Sequence, residues 1–130
     1  KEFEKILGYD AISKKKKFLD EEKNSKIIIH TALQTTFFES MLAGVPTVVL
    51  LKEELWNISE TGKEIYNLLK KNKIIFEDVD RLIAHLNNIN ENPLLWWGSN
   101  ELLVVREKFH DNFCNYKDNK KWDNFFLELD

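Results

Sequence analysis

The segment Ser25 to Leu51, SKIIIHTALQTTFFESMLAGVPTVVLL, constrains the fold more than the rest of the chain together. An apolar run, Ile27 to Ile29, leads into a polar turn, and a Thr-x-x-Glu box (Thr36, Glu39) then opens a helix that stops at Gly44. After Pro46 a second apolar run follows, Thr47 to Leu51. Two short apolar runs joined by a helix read as one strand–helix–strand unit of a parallel sheet, because parallel strands need a crossover connection. The loop between Ile29 and Phe37 then lies beyond the carboxyl end of the first strand, where open α/β sheets bind ligands. A helix N-terminus at that place offers unpaired N–H groups and a partial positive charge, which suits a phosphate.

Composition narrows the class. The chain has 130 residues, so one domain or part of one is expected. Apolar residues are 43% and charged residues 32%, enough for a packed core. A net charge of −3 gives no basic field for nucleic acid, and Lys14 to Lys17 is a local patch that reads as a solvated helix face. Cys114 is the single cysteine, which rules out a disulfide framework or a cysteine zinc site and fits a reducing compartment. The three histidines are too scattered for metal spacing, and no apolar run approaches the about 18 residues of a membrane span. The opening Lys1-Glu2-Phe3-Glu4-Lys5 has neither a signal-peptide pattern nor a Met, so the chain is expected to be a piece of a longer protein.

The expected elements are a weak helix around Ile12 to Leu19, a strand Lys26 to His30, a helix Thr36 to Ala43 and a strand Thr47 to Leu51. An amphipathic helix from Ile58 to Lys71 follows, with Ile58, Ile65, Leu68 and Leu69 near one face, then a short strand Lys73 to Phe76. Asp78 or Asp80 is expected to cap a helix whose apolar set is Val79, Leu82, Ile83 and Leu86, with Asn92-Pro93 as its breaker. Ser99 is expected to cap a helix through about Asn115, with a last helix from Asn119 to Leu129. Three strands alternating with helices predict an α/β fold with a parallel sheet and right-handed crossovers. Three strands fill half of a six-stranded Rossmann-type sheet, so they read as its second half, followed by C-terminal helices.

The residues Thr36-Phe37-Phe38-Glu39-Ser40-Met41-Leu42-Ala43-Gly44-Val45-Pro46 resemble the donor-binding signature of GT-B glycosyltransferases, a Ser/Thr-rich turn followed by Glu, four residues, Gly, any residue and Pro. More narrowly, His30-Thr31, the run Gly44 to Val49, Trp56, Trp96-Trp97 and the aromatics Phe109, Tyr116 and Trp122 make the chain similar to the C-terminal part of bacterial transferases of surface-carbohydrate (lipopolysaccharide or capsule) biosynthesis. The second glycine-rich turn that many GT-B enzymes carry near the upstream end of this half-domain has no match here. The resemblance implies a single, partial nucleotide-sugar-binding domain over residues 1–130, with the upstream half-domain and the acceptor domain outside it. It implies glycosyl transfer from a nucleotide-sugar to a glycan or lipid-linked acceptor, without a metal or other cofactor. The expected place is the cytoplasm or the inner face of the membrane, with self-association of the fragment as one way to cover its open sheet edge.

By that resemblance the Glu39 carboxylate accepts from the ribose hydroxyls, and Thr35, Thr36 and the helix N–H groups hold phosphates. Each assignment has a plainer alternative. Glu39 and Thr36 also make a capping box, His30 can end the strand rather than meet a phosphate, and Lys52 can be surface charge. Trp56 either lines the donor pocket or packs under the long helix, and Thr31 joins it and Lys52 as a possible pocket residue. Trp96, Trp97 and Trp122 read as packing aromatics. No catalytic base is assigned, since in the family it comes from the other domain. Two further readings stay open: a sugar-nucleotide epimerase of the related two-domain fold, and a non-catalytic α/β interaction module.

Overall fold

A computed structural model of the chain describes Lys5, Ile6, Gly8, residues 17–22 and residues 24–113. Cys114, Tyr116, Trp122, the expected helix Asn119 to Leu129 and most of the lysine patch lie outside the described residues. The elements are α1 (Phe18–Glu22), β1 (Ile28–His30), α2 (Thr35–Ala43), β2 (Thr47–Leu50), a 3-10 turn (Glu53–Leu55), α3 (Glu60–Lys71), β3 (Ile75–Phe76), α4 (Val79–Ile89), α5 (Pro93–Trp97) and α6 (Asn100–Phe113). The three strands form one parallel sheet in the order β1-β2-β3, as the alternation of strands and helices predicts. This is the arrangement of a Rossmann-like half-domain.

β2 is the centre. Its successive residues Val48 and Val49 point to opposite faces and are both 0% exposed, so the sheet is covered on both sides at this strand. Register then decides the fate of β1. Ile29 pairs with Val48 and shares its face, yet is 50% exposed. His30 pairs with Val49 and so turns into the principal core. That core is aromatic where α2 meets α6: Phe38 lies 5.5 Å from Phe37 and 5.5 Å from Phe109, and Phe109 lies 5.2 Å from Phe113. Tilted and edge-on ring pairs of this kind add roughly 0.5–1.5 kcal/mol each beyond the area they bury.

Helix ends follow local chemistry. Gly44 closes α2 in the left-handed region at φ 71°, as a glycine after a helix does. Ser59 starts α3 by accepting the Gly62 N–H at 3.0 Å, and Asp78 starts α4 by accepting the Arg81 N–H at 3.0 Å. Asn92 and Pro93 start α5, with Pro93 in the first turn, where its missing N–H costs nothing.

Several expectations are corrected. The capping box does not form: α2 begins a residue earlier, at Thr35, and its N-cap Gln34 makes no side-chain capping bond. The Gln34 carbonyl instead receives the Phe37 N–H at 2.9 Å, which seats Phe37 and Phe38 in the core together. Ile58 precedes α3 rather than belonging to it, but is buried. In α4 the inward residues are Leu82, His85 and Ile89, while Val79 and Ile83 are about half exposed. The helix is turned because the His85 ring packs against Phe76 at 5.3 Å and Trp96 at 4.7 Å.

Besides the aromatic packing of α6 on α2, a hydrogen-bonded joint ties the C-terminal helices to the end of α2. Trp97 is 2% exposed and its Nε1 donates to the Gly44 carbonyl at 2.9 Å, while the Arg106 guanidinium lies 4.6 Å above its ring. Arg106 Nη1 also donates to the Trp97 carbonyl at 3.1 Å. Trp97 is thus the packing residue its sequence context implied. Trp96 is partly buried against the same core.

Candidate functional site

The carboxyl ends of the strands carry the chemistry. Beyond β1, the turn Thr31 to Gln34 leads into α2, and Leu33 at 2% exposure pins it to the core. Thr31 and Thr35 are exposed, and Thr36 and Glu39 are half-buried. No side chain caps α2, so of its first-turn N–H groups that of Phe37 is met by the Gln34 carbonyl and none by a side-chain cap. The Glu39 carboxylate has no hydrogen bond or ion pair among the described residues.

His30 lies beneath this turn. It is 8% exposed, edge-on to Phe37 at 5.8 Å, and its Nε2 stands 3.0 Å from Ser40 Oγ. Ser40 Oγ donates its one proton to the Thr36 carbonyl at 3.0 Å. The hydroxyl must therefore accept from His30, which fixes the imidazole as the Nε2–H tautomer. Burial lowers the His30 pKa, so the neutral ring is favoured. His30 thus supports α2 from below through Ser40, a residue the sequence reading passed over.

Beyond β2 and β3 opens a cleft of about 650 Å³, lined by Lys52, Glu53, Glu54, Trp56, Asn57, Ile58, Glu60, Lys63 and Glu77. Trp56 lines this cleft and packs against the core. Lys52 is exposed at the rim. Thr31, Thr35, Thr36 and Glu39 do not line the cleft, so the structure places the candidates in two groups along one sheet edge.

Glu77 organises the cleft. One oxygen accepts the Glu53 N–H at 2.9 Å and faces the Tyr66 hydroxyl at 3.5 Å, and the other is paired with Lys70. The Lys70 hydrogen bond and then the Glu53 N–H hold its carboxyl below the usual range. Burial and then the Glu77 charge push the Tyr66 phenol up, so it stays protonated. The result is a tie between β3 and the loop that carries Lys52 and Trp56. Sequence reasoning passed over Glu77 in favour of Asp78, although its place directly after β3 put it at the ligand edge.

With this geometry in view, comparison with known proteins is decisive at the level of family: a model described as LIC12162 family transferase matches residues 3–127. The chain belongs to the LIC12162 family of transferases. The match covers nearly all of the chain, including both groups of candidate residues. No curated protein and no solved structure matches this chain. Membership of the LIC12162 family supports a transferase role. Among the described residues, no helix is long and apolar enough to cross a membrane.

Proposed function

We propose that this LIC12162 family chain is the donor-nucleotide part of a GT-B type glycosyltransferase that acts in surface-glycan synthesis. The observation that carries the reading is the head of α2. A helix start without a side-chain cap, the hydroxyls of Thr35 and Thr36, and the Glu39 carboxylate one turn on follow the carboxyl end of β1. Phosphate oxygens suit the N–H and hydroxyl donors of Thr35 and Thr36, and vicinal ribose hydroxyls suit the Glu39 carboxylate. His30 and Ser40 hold that turn from beneath. The Trp56 face and Lys52 offer the neighbouring cleft to the base or the sugar. As the glycosidic bond breaks, charge gathers on the phosphate leaving group, where the helix end and hydroxyls stabilise it without moving. The acceptor, a glycan or lipid-linked sugar, and the catalytic base belong in this proposal to a domain outside this chain, on the cytoplasmic side of the membrane.

The test is Glu39→Gln in the full-length protein, with Gln34→Ala as a control, using nucleoside diphosphates in calorimetry and thermal melting in parallel. A hydrogen bond to a charged group is worth about 1.5–3 kcal/mol, or roughly 10- to 150-fold in affinity. Since Glu39 caps nothing here, its melting temperature should stay unmoved while affinity falls. Unchanged affinity would remove the central residue of the proposal.

A further inference from the structure

We propose that a second cleft, along the outer edge of β3, is an anion site that takes a phosphoryl group on Lys71, Lys73 and Arg81. The inference does not rest on the proposed donor site, although Glu77 borders both clefts. The cleft has a volume of about 630 Å³ and lies between the end of α3 and the first turns of α4. Its cations come from three places: Lys70 and Lys71 from the last turn of α3, Lys73 from the connection, and Arg81 from the first turn of α4.

Four cations face two carboxylates in its lining, and one of the two is ion-paired. Glu77 is paired with Lys70, and Asp78 accepts the Arg81 N–H as a helix cap. Neither the Lys63–Glu60 nor the Lys70–Glu77 ion pair involves Lys71, Lys73 or Arg81. Such groups on a convex surface would be ordinary solvated charge, but here they converge on a cavity beside the N-terminus of an 11-residue helix.

Two further observations point to a ligand. His85, one turn along α4 from Arg81, lines the cleft and is 6% exposed, and its Nε2 has no hydrogen-bond partner among the described residues. Burial, and after it the charge of Lys73, lowers the His85 pKa, so a neutral imidazole stands in a cationic cleft. An anion in the cleft would offset the Lys73 field that bears on this ring.

Lys73 itself is the second observation. α3 ends in a Schellman turn, in which the Lys73 N–H reaches the Lys70 carbonyl and the Ile74 N–H reaches the Leu69 carbonyl. Lys73 sits at the position where glycine is the low-energy residue, at φ 64°. Lys73 lines the cleft from this position, where a glycine would bring no charge.

That backbone position makes the test separable from folding. The full chain is titrated with inorganic pyrophosphate while the His85 ring resonances are followed by NMR. Variants are Lys73→Gly, Arg81→Gln and Thr36→Ala. Parallel flotation uses vesicles with and without phosphatidylglycerol, which separates a lipid headgroup from a soluble phosphate. The expected result is a His85 shift on binding and affinity about tenfold lower in Lys73→Gly, the scale of one charged hydrogen bond. The same variant should melt no lower than wild type, and Thr36→Ala should leave the His85 response intact. Selective flotation with phosphatidylglycerol, lost in Lys73→Gly, supports the headgroup as the source. A His85 ring unmoved by pyrophosphate together with no selective flotation overturns the proposal, as does binding that Lys73→Gly and Arg81→Gln leave unchanged.

Discussion

Gly44→Ala tests how the two halves of the fold are joined. Gly44 has φ 71°, a region that costs an L-residue roughly 1–2 kcal/mol. An added Cβ would also stand 3.1 Å from Arg106 Nη2, too close for comfort but facing the end of a flexible side chain. Arg106 can swing away, at the cost of its position above the Trp97 ring, worth about 0.5–1 kcal/mol. The total is about 2 kcal/mol, a drop in Tm on the order of 5–10 °C. The assay is thermal and urea unfolding of Gly44→Ala, Arg106→Ala and the double variant. In the Arg106→Ala background the contact is absent and only the backbone strain remains, so Gly44→Ala should cost about 0.5–1 kcal/mol less there. Gly44→Asn, which tolerates the left-handed region better, should lose less to strain while keeping the contact. An alanine variant as stable as wild type would refute the strain, and equal cost in both backgrounds would refute the part assigned to Arg106.

Other outcomes follow from the packing and the titrating groups. His30 and His85 both have folded pKa values below the ordinary 6.5, so the unfolded chain takes up protons first as pH falls. Their stabilisation is complete above about pH 6.5 and declines below it, so the urea midpoint should be lower at about pH 5.5 than at about pH 7.5, and His30→Gln should flatten that slope. Glu77 acts in a separate window, because its lowered pKa gives stability that is lost only as pH falls below its ordinary 4.5. Glu77→Ala should cost on the order of 1 kcal/mol, since its surroundings are wet, and should speed proteolytic nicking between residues 52 and 57. Phe109→Ala, at 1% exposure among three other phenylalanines, should cost roughly 3–5 kcal/mol and leave too little cooperative unfolding to fit in a melt.

The strand–helix–strand unit was legible because its signals are local. Three isoleucines, Gly44, Pro46 and a valine pair punctuate it without help from the rest of the chain. The start of α2 was misread because Thr36 and Glu39 fit a local box, while the burial of both Phe37 and Phe38 against Phe109 decides where the helix begins. The face of α4 was misread for a related reason. Apolar periodicity took Ile83 as inward, whereas Phe76 and Trp96, on other elements, draw the His85 ring in. The candidate residues at the head of α2 were named from the resemblance carried by the Thr-x-x-Glu…Gly-x-Pro run. Glu77 was not, because its partners Glu53, Tyr66 and Lys70 are brought to it only by the finished sheet.

The joint between Trp97 and Gly44 also bears on the order of assembly. Each strand pairs with its neighbour in sequence, Ile28 with Thr47 and Val49 with Ile75, so the sheet closes through short chain loops. The Trp97 bond instead spans 53 residues. Closing longer loops costs more chain entropy, and low contact order favours speed. The sheet should therefore gather around β2 while α5 and α6 are still searching, and those helices should be the first to detach from the native protein. Pulse-labelled amide exchange should find β2 protected before α6, and native-state exchange should show α6 opening while β2 stays closed. The same joint that completes the fold then sets its easiest partial unfolding, and a partner resting on α5 or α6 would slow that opening without touching the sheet.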